Sequence, residues 1–143
     1  MKPVGELLRQ RGGTLWHARP DDTVFETLQL LARYEVGALM VMDGGRIVGV
    51  FSERDYTRKI ALQGRSSKET KVSEIMTRDV LYVGPATGTN QCLKLMSDKK
   101  IRHLPVIEKD GTVMGMISIR DIMDDIISDH EETIAHLENY IRS

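Results

Sequence analysis

Two short segments of the sequence carry the same polar signature. One reads Gly49-Val50-Phe51-Ser52-Glu53-Arg54-Asp55, the other Gly115-Met116-Ile117-Ser118-Ile119-Arg120-Asp121. In each, a strand-like run meets a serine three residues before an aspartate, with an arginine between them. This spacing supports two chemistries. A Ser-x-x-Asp pair at a helix start is close to a capping box, in which hydroxyl and carboxylate satisfy the first free backbone N–H groups. The same helix start offers N–H groups and a partial positive charge to a phosphate. Its carboxylate can accept hydrogen bonds from both hydroxyls of a ribose, and Arg54 or Arg120 can neutralise phosphate charge or point to solvent.

A second pair of positions bears on the same chemistry: Gly37-Ala38 and Arg102-His103. Small residues let a ligand approach the backbone closely, whereas Arg102 and His103 can donate to phosphate oxygens. The difference predicts two unequal pockets. No catalytic set accompanies them. Cys92 sits in a helical pattern beside Leu93 and reads as a buried thiol. His17, His103, His130 and His136 lack metal-ligand spacing, and Gly44, Gly45 and Gly49 spell neither a phosphate loop nor a dinucleotide fingerprint. Trp16 suits either a stacking platform or a core plug. Arg58 and Lys59 read as a solvated helix face, with local phosphate neutralisation as the alternative.

The elements that must position these residues follow from an internal repeat. Pro20 and Pro85 lie 65 residues apart, and at that offset Leu28 falls on Leu93, Leu31 on Met96, Val36 on Ile101, Leu39 on Leu104 and Val41 on Val106. After one inserted residue, Gly49, Ser52, Arg54 and Asp55 fall on Gly115, Ser118, Arg120 and Asp121. A lead-in repeats as well: residues 4–8 match residues 72–76. In the first half Thr23 and Glu26 have capping-box spacing. Val24, Leu28, Leu31 and Ala32 then follow at helical spacing until Gly37 offers a stop. Residues 38–42 form an apolar strand, Asp43-Gly44-Gly45 a hairpin turn, and residues 46–51 the returning strand. A further helix begins near Glu53. The second half repeats the order, with Lys109-Asp110-Gly111 at its turn. The polar stretch 63–71 connects the halves. Neither half alone buries enough apolar surface for a secure core, so the halves are expected to share one. In the last helix Ile127, His130, Ile134, Leu137 and Ile141 step by alternate threes and fours, a heptad-like seam that suits docking on the chain's own core or on a second copy.

Composition sets the bounds. The chain has 143 residues, 41% hydrophobic and 29% charged, with 20 basic against 21 acidic side chains and a formal net charge of -1. That is a globular balance without a global pull toward nucleic acid or anionic membrane. The sequence lacks an apolar run long enough to span a bilayer, and its N-terminus lacks a signal-peptide core. The lone Cys92 suits a reducing, cytoplasmic setting.

In combination, the paired β-α-β-β-α pattern, Arg102-His103-Leu104-Pro105-Val106-Ile107 and both Gly-x-h-x-Ser-x-Arg-Asp segments resemble the cystathionine-β-synthase (CBS) domain family. The whole chain resembles a stand-alone tandem pair, or Bateman module. Residues 51–59, 63–67 and the tail through Tyr140 further resemble small bacterial CBS-pair proteins and plant organellar relatives. The resemblance implies an α/β fold of two pseudo-symmetric repeats packed face to face. Repeat one is expected over residues 4–65, a linker over 66–71, repeat two over 72–128 and a long C-terminal helical extension over 129–143.

The resemblance also implies non-catalytic binding of an adenine nucleotide (AMP, ADP, ATP or NAD(H)) between the repeats. One pocket would join Ser52, Arg54 and Asp55 to Leu81, Arg102, His103 and Pro105. The other would join Ser118, Arg120 and Asp121 to Thr14, Trp16, Gly37 and Ala38. The aspartates would hold ribose hydroxyls and the serines would contact phosphate. The Arg102-His103 order departs from the His-Arg order of some nucleotide-sensing members, and repeat one has no basic residue there, which weakens phosphate binding in the second pocket. A homodimer and a regulated protein partner are expected, with no nucleic-acid or membrane partner. The rival readings are a ligand-silent interaction scaffold acting through the C-terminal helix, and a redox regulator of thioredoxin-like proteins suggested by the plant relatives.

Overall fold

The structure, a computed structural model, describes residues 2–11 and 15–142. Helix α1 (Val4–Arg11) leads in to a short strand β1 (His17–Ala18), helix α2 (Val24–Tyr34) and the hairpin β2 (Ala38–Asp43) and β3 (Arg46–Ser52). Helix α3 (Glu53–Tyr56) runs directly into a π-helical turn, Thr57–Ala61. The second half starts with a 3-10 turn, Val72–Glu74, and continues with α4 (Thr89–Lys99), the hairpin β4 (His103–Ile107) and β5 (Val113–Ser118), and the long α5 (Ile119–Arg142). Strand β1 pairs parallel with β2, and β2 antiparallel with β3. In the second half Val83 takes the place of β1 as a parallel bridge to Val106. Each hairpin has a bulge at the matching place, after Val41 and after Val106.

The local signals act as their chemistry dictates. Thr23 caps α2, its hydroxyl accepting from the Glu26 N–H at 3.0 Å. Gly44 and Gly45 both take positive φ, the primed turn that matches the twist of a tight hairpin. One expectation is corrected: α2 stops before Gly37, at Glu35, whose φ of 55° is left-handed. Its counterpart Lys100 ends α4 in the same way. A glycine-based stop signal does not see these caps because neither residue is glycine. The fold imposes the conformation so that the Val36 and Ile101 N–H groups reach back to the Leu31 and Met96 carbonyls, at 3.1 and 3.0 Å.

The two halves exchange their lead-ins. Val4, Leu7 and Leu8 of α1 are buried in the second-half core with Val83, Cys92, Met96, Leu104, Val106, Ile117 and Ile122. Val72, Ile75 and Met76 are buried in the first-half core with Val24, Leu31, Leu39, Val41, Phe51 and Ile60. The backbone bonds are equally reciprocal. Val4 and Gly5 N–H donate to the Thr87 and Pro85 carbonyls, while Val72 and Ser73 N–H donate to those of Asp22 and Pro20. The connector is pinned too: Thr70 is buried and its carbonyl accepts from the Val24 N–H at 2.8 Å. The single shared core expected from the size of the halves is therefore corrected to two cores, each completed by the lead-in of the other half.

Candidate functional site

Two clefts lie between the repeats, related by the same internal symmetry. The first, of about 720 Å³, joins the β3–α3 corner to the second repeat: Ser52, Arg54 and Asp55 share it with Leu81, Arg102, His103 and Pro105. The second, of about 510 Å³, joins the β5–α5 corner to the first repeat: Ser118, Arg120 and Asp121 share it with Trp16, Gly37 and Ala38. Thus the structure brings the expected residues together in the expected groups, apart from Thr14, which lies outside the described residues. Gly37, Ala38, Arg102 and His103 line both clefts. A side chain at Gly37 would meet the Glu53 carboxylate at 3.2 Å and the His103 ring at 3.6 Å, so its smallness keeps this shared wall thin.

The helix corners are formed by capping. Asp55 accepts from the Ser52 N–H at 3.0 Å and the Ser52 hydroxyl at 3.1 Å, while the Asp55 N–H donates to the Ser52 hydroxyl at 3.2 Å. Its other oxygen, Oδ1, accepts from the Thr77 hydroxyl at 3.1 Å and pairs with Lys59 at 3.0 Å. Four donors therefore occupy the carboxylate's acceptor sites, and Asp55 is buried. At the second corner Asp121 Oδ2 accepts from the Ser118 N–H at 2.8 Å and pairs with Arg11, which reaches in from α1 and also donates to the Met116 carbonyl at 3.0 Å. The two corners thus differ: Asp55 is saturated, whereas Asp121 commits one oxygen.

Lys59 is a correction. It does not lie on a solvated face: the π-helical turn directs its ammonium inward, to Asp55 and to the Ile75 carbonyl at 2.8 Å. Residues that pattern reasoning missed also line the clefts. Thr77 belongs to the exchanged lead-in, bonded to β3 by paired Val50–Thr77 backbone bonds of 2.9 Å. Arg11 comes from the other exchanged lead-in. Tyr34 stacks on Trp16 with ring centroids 4.6 Å apart and planes 2° apart, forming an aromatic wall in the second cleft. The only sequence signal for Thr77 and Arg11 is that each follows a repeated lead-in.

The clefts differ in charge. Six basic side chains line the first (Arg54, Arg58, Lys59, Lys99, Lys100 and Arg102) against Glu53, Asp55 and Asp79. In the second, Arg11, Arg102 and Arg120 balance Glu35, Asp121 and Asp124. Arg54 also ties the halves together by donating to the Lys100 carbonyl at 3.2 Å. Burial holds the His103 imidazole below its ordinary range, opposed by Asp121 and reinforced by Arg102. Burial likewise raises the Cys92 thiol.

No helix among the described residues is long and apolar enough to cross a membrane. The chain is 42% identical over 136 residues to the CBS domain-containing protein CBSX3, mitochondrial, of Arabidopsis thaliana, covering 92% of this chain and 65% of that protein. It therefore spans slightly less than two thirds of that relative's length. A putative signal-transduction protein with CBS domains from Burkholderia ambifaria superposes with a TM-score of 0.83 at 43% identity, covering 88% of this chain and 94% of that one. The CBS domain pair of protein MJ0100, in complex with 5′-methylthioadenosine and S-adenosyl-L-methionine, shares the fold with a TM-score of 0.78 at 21% identity, over 90% and 98% of the two chains. The CBS domain family model matches twice, at residues 14–62 and 72–128, the first match holding the Ser52–Asp55 corner and the second the Ser118–Asp121 corner. The chain belongs to the CBS-domain family and carries the domain as a tandem pair.

Proposed function

We propose that the protein is a non-catalytic regulatory module that binds an adenine nucleotide (AMP, ADP, ATP or NAD(H)) between its repeats. The observation that carries this reading is the first cleft, where six basic side chains surround a concave space large enough for a small ligand. A phosphorylated ligand is attracted there by charge, with Ser52, Arg54 and Arg102 nearest in chemistry to its phosphates. Adenine packs against Leu81, Pro105 and the backbone at Ala38, and ribose reaches Asp55 by exchanging with Lys59 or Thr77. The second cleft is charge-balanced, but Asp121 retains one carboxylate oxygen for a hydroxyl donor and the Trp16–Tyr34 stack offers a flat apolar wall. It suits a ligand of lower charge. Adenosine-type ligands in the MJ0100 pair, which has the same fold, support the ligand class.

Signalling follows by linkage. A ligand that touches both repeats favours the arrangement it bridges, and a partner protein reads the difference. The module acts as a homodimer, a reading supported by the exposed heptad seam of α5, and a cytoplasmic setting fits a lone, buried cysteine. Thermal melts test the binding. A nucleotide present at about 100 times its dissociation constant is expected to stabilise the fold by about 2.7 kcal/mol, or roughly 5–10 °C. Melts unmoved by AMP, ADP, ATP and NADH at millimolar concentration would overturn the reading.

A further inference from the structure

The two helix corners share a pattern but not their surroundings. In the repeat that places Asp55 on Asp121, Lys59 falls on Asp125, an acid paired with Lys2 at 2.8 Å. Thr77 follows the lead-in 72–76, whereas Arg9, which follows the matching lead-in 4–8, is exposed. The two donors that fill Asp55 Oδ1 are therefore particular to the first cleft.

Both donors are held in place. The Thr77 backbone is fixed to Val50 by two bonds of 2.9 Å, which presents the Thr77 hydroxyl to Asp55 at 3.1 Å. The Lys59 ammonium bridges Asp55 at 3.0 Å and the Ile75 carbonyl at 2.8 Å. A ribose hydroxyl that displaces Lys59 breaks two charge-assisted bonds to make one. A ribose hydroxyl that displaces Thr77 exchanges one hydroxyl for another. Neither exchange yields net affinity. Asp121 differs: among the described residues only its Oδ2 is engaged, by the Ser118 N–H and by Arg11. A sugar hydroxyl there adds a bond to a charged acceptor instead of replacing one.

The first cleft keeps its charge after that internal pairing. With Lys59 committed to Asp55, Arg54, Arg58, Lys99, Lys100 and Arg102 still outnumber Glu53 and Asp79. Such an excess suits a chain of phosphates better than a single one.

We propose that the first cleft takes a nucleoside polyphosphate by its phosphate chain and base without reading the ribose hydroxyls, and that sugar reading falls to Asp121 in the second cleft. The inference rests on the adenine-nucleotide reading and divides its recognition between the two clefts.

Calorimetric titration of the full chain with ATP, 2′,3′-dideoxy-ATP and AMP tests the first cleft. Its binding event is the one that Arg58→Glu weakens, since Arg58 lines the first cleft and not the second. Dideoxy-ATP is expected to bind within about twofold of ATP, and AMP at least about tenfold more weakly. Adenosine, which carries no phosphate, is expected to bind the second cleft, and 2′,3′-dideoxyadenosine about tenfold more weakly, a difference that Asp121→Ala should erase. A first-cleft affinity that falls tenfold with dideoxy-ATP, or that is equal for AMP and ATP, would overturn the inference and leave the nucleotide reading standing. Adenosine that binds no better than its dideoxy form would overturn the role given to Asp121. No binding heat with any of these ligands would overturn both the inference and the reading.

Discussion

Gly5→Val is expected to destabilise the protein by about 3 kcal/mol or more, an overpacking effect at the upper end of its range. A β-carbon at position 5 would lie 2.6 Å from Pro85 Cβ and 2.9 Å from the Pro85 carbonyl oxygen. Neither neighbour can turn away. One is a proline ring and the other accepts the Gly5 N–H at 2.9 Å, beside the Val4–Thr87 bond of 2.7 Å. Relief requires α1 to undock, which exposes Val4, Leu7 and Leu8, each worth about 1.5–3 kcal/mol of apolar burial. Urea unfolding of Gly5→Val beside Glu6→Val separates crowding from helix propensity. Glu6 is exposed in the same turn, and its variant should remain within about 0.5 kcal/mol of the wild type. Equal midpoints for Gly5→Val and the wild type would contradict the exchanged docking of α1.

The second large effect is at Asp55. Asp55→Ala removes the reciprocal cap on α3, leaves the Thr77 hydroxyl without its acceptor and strips Lys59 of its counter-charge. The expected loss is about 2–4 kcal/mol, between that of a lost cap and a broken buried ion pair. Asp55→Asn keeps the shape and an acceptor for Thr77, so about half of that loss should return. Asp121→Ala removes a partly buried acid from its Ser118 cap and its Arg11 pair and should cost about 1–2 kcal/mol, in the range of a cap. Denaturant midpoints for the three variants check the order. An unchanged midpoint for Asp55→Ala with nucleotide binding abolished would assign the carboxylate to ligand alone and contradict its role as a structural keystone.

Asp55 also illustrates how much of the protein could be read from residue order. The Ser-x-x-Asp corner is legible as a pattern, but capping and ribose binding ask for the same carboxylate at the same spacing, so sequence leaves both open. Geometry separates them at Asp55, where four donors already converge, and less so at Asp121. The repeat was legible because its apolar positions keep one offset. The grouping of cleft residues followed from the family resemblance, and the described positions do converge in two clefts. The lead-in exchange was invisible: residues 4–8 fit either core equally well as a pattern, and only the folded chain decides which core they complete. That exchange brings in Thr77 and Arg11. Glu35 and Lys100 escaped notice because a left-handed cap on a non-glycine leaves no compositional mark.

The charge asymmetry between the clefts leads to the most direct measurement, calorimetric titration of ATP into the wild type, an Arg58→Glu/Arg102→Glu double variant and Arg120→Glu. Arg58 lines only the first cleft, Arg102 stands on the wall that both clefts share, and Arg120 lines only the second. If a nucleotide's phosphates are held between the repeats in the first cleft, the double variant should bind ATP at least about tenfold more weakly, a loss of about 1.4 kcal/mol. Arg120→Glu should change the affinity by less than about threefold, consistent with a screened peripheral charge. Equal ATP affinity in the wild type and the double variant, with both folded, would contradict binding at this site.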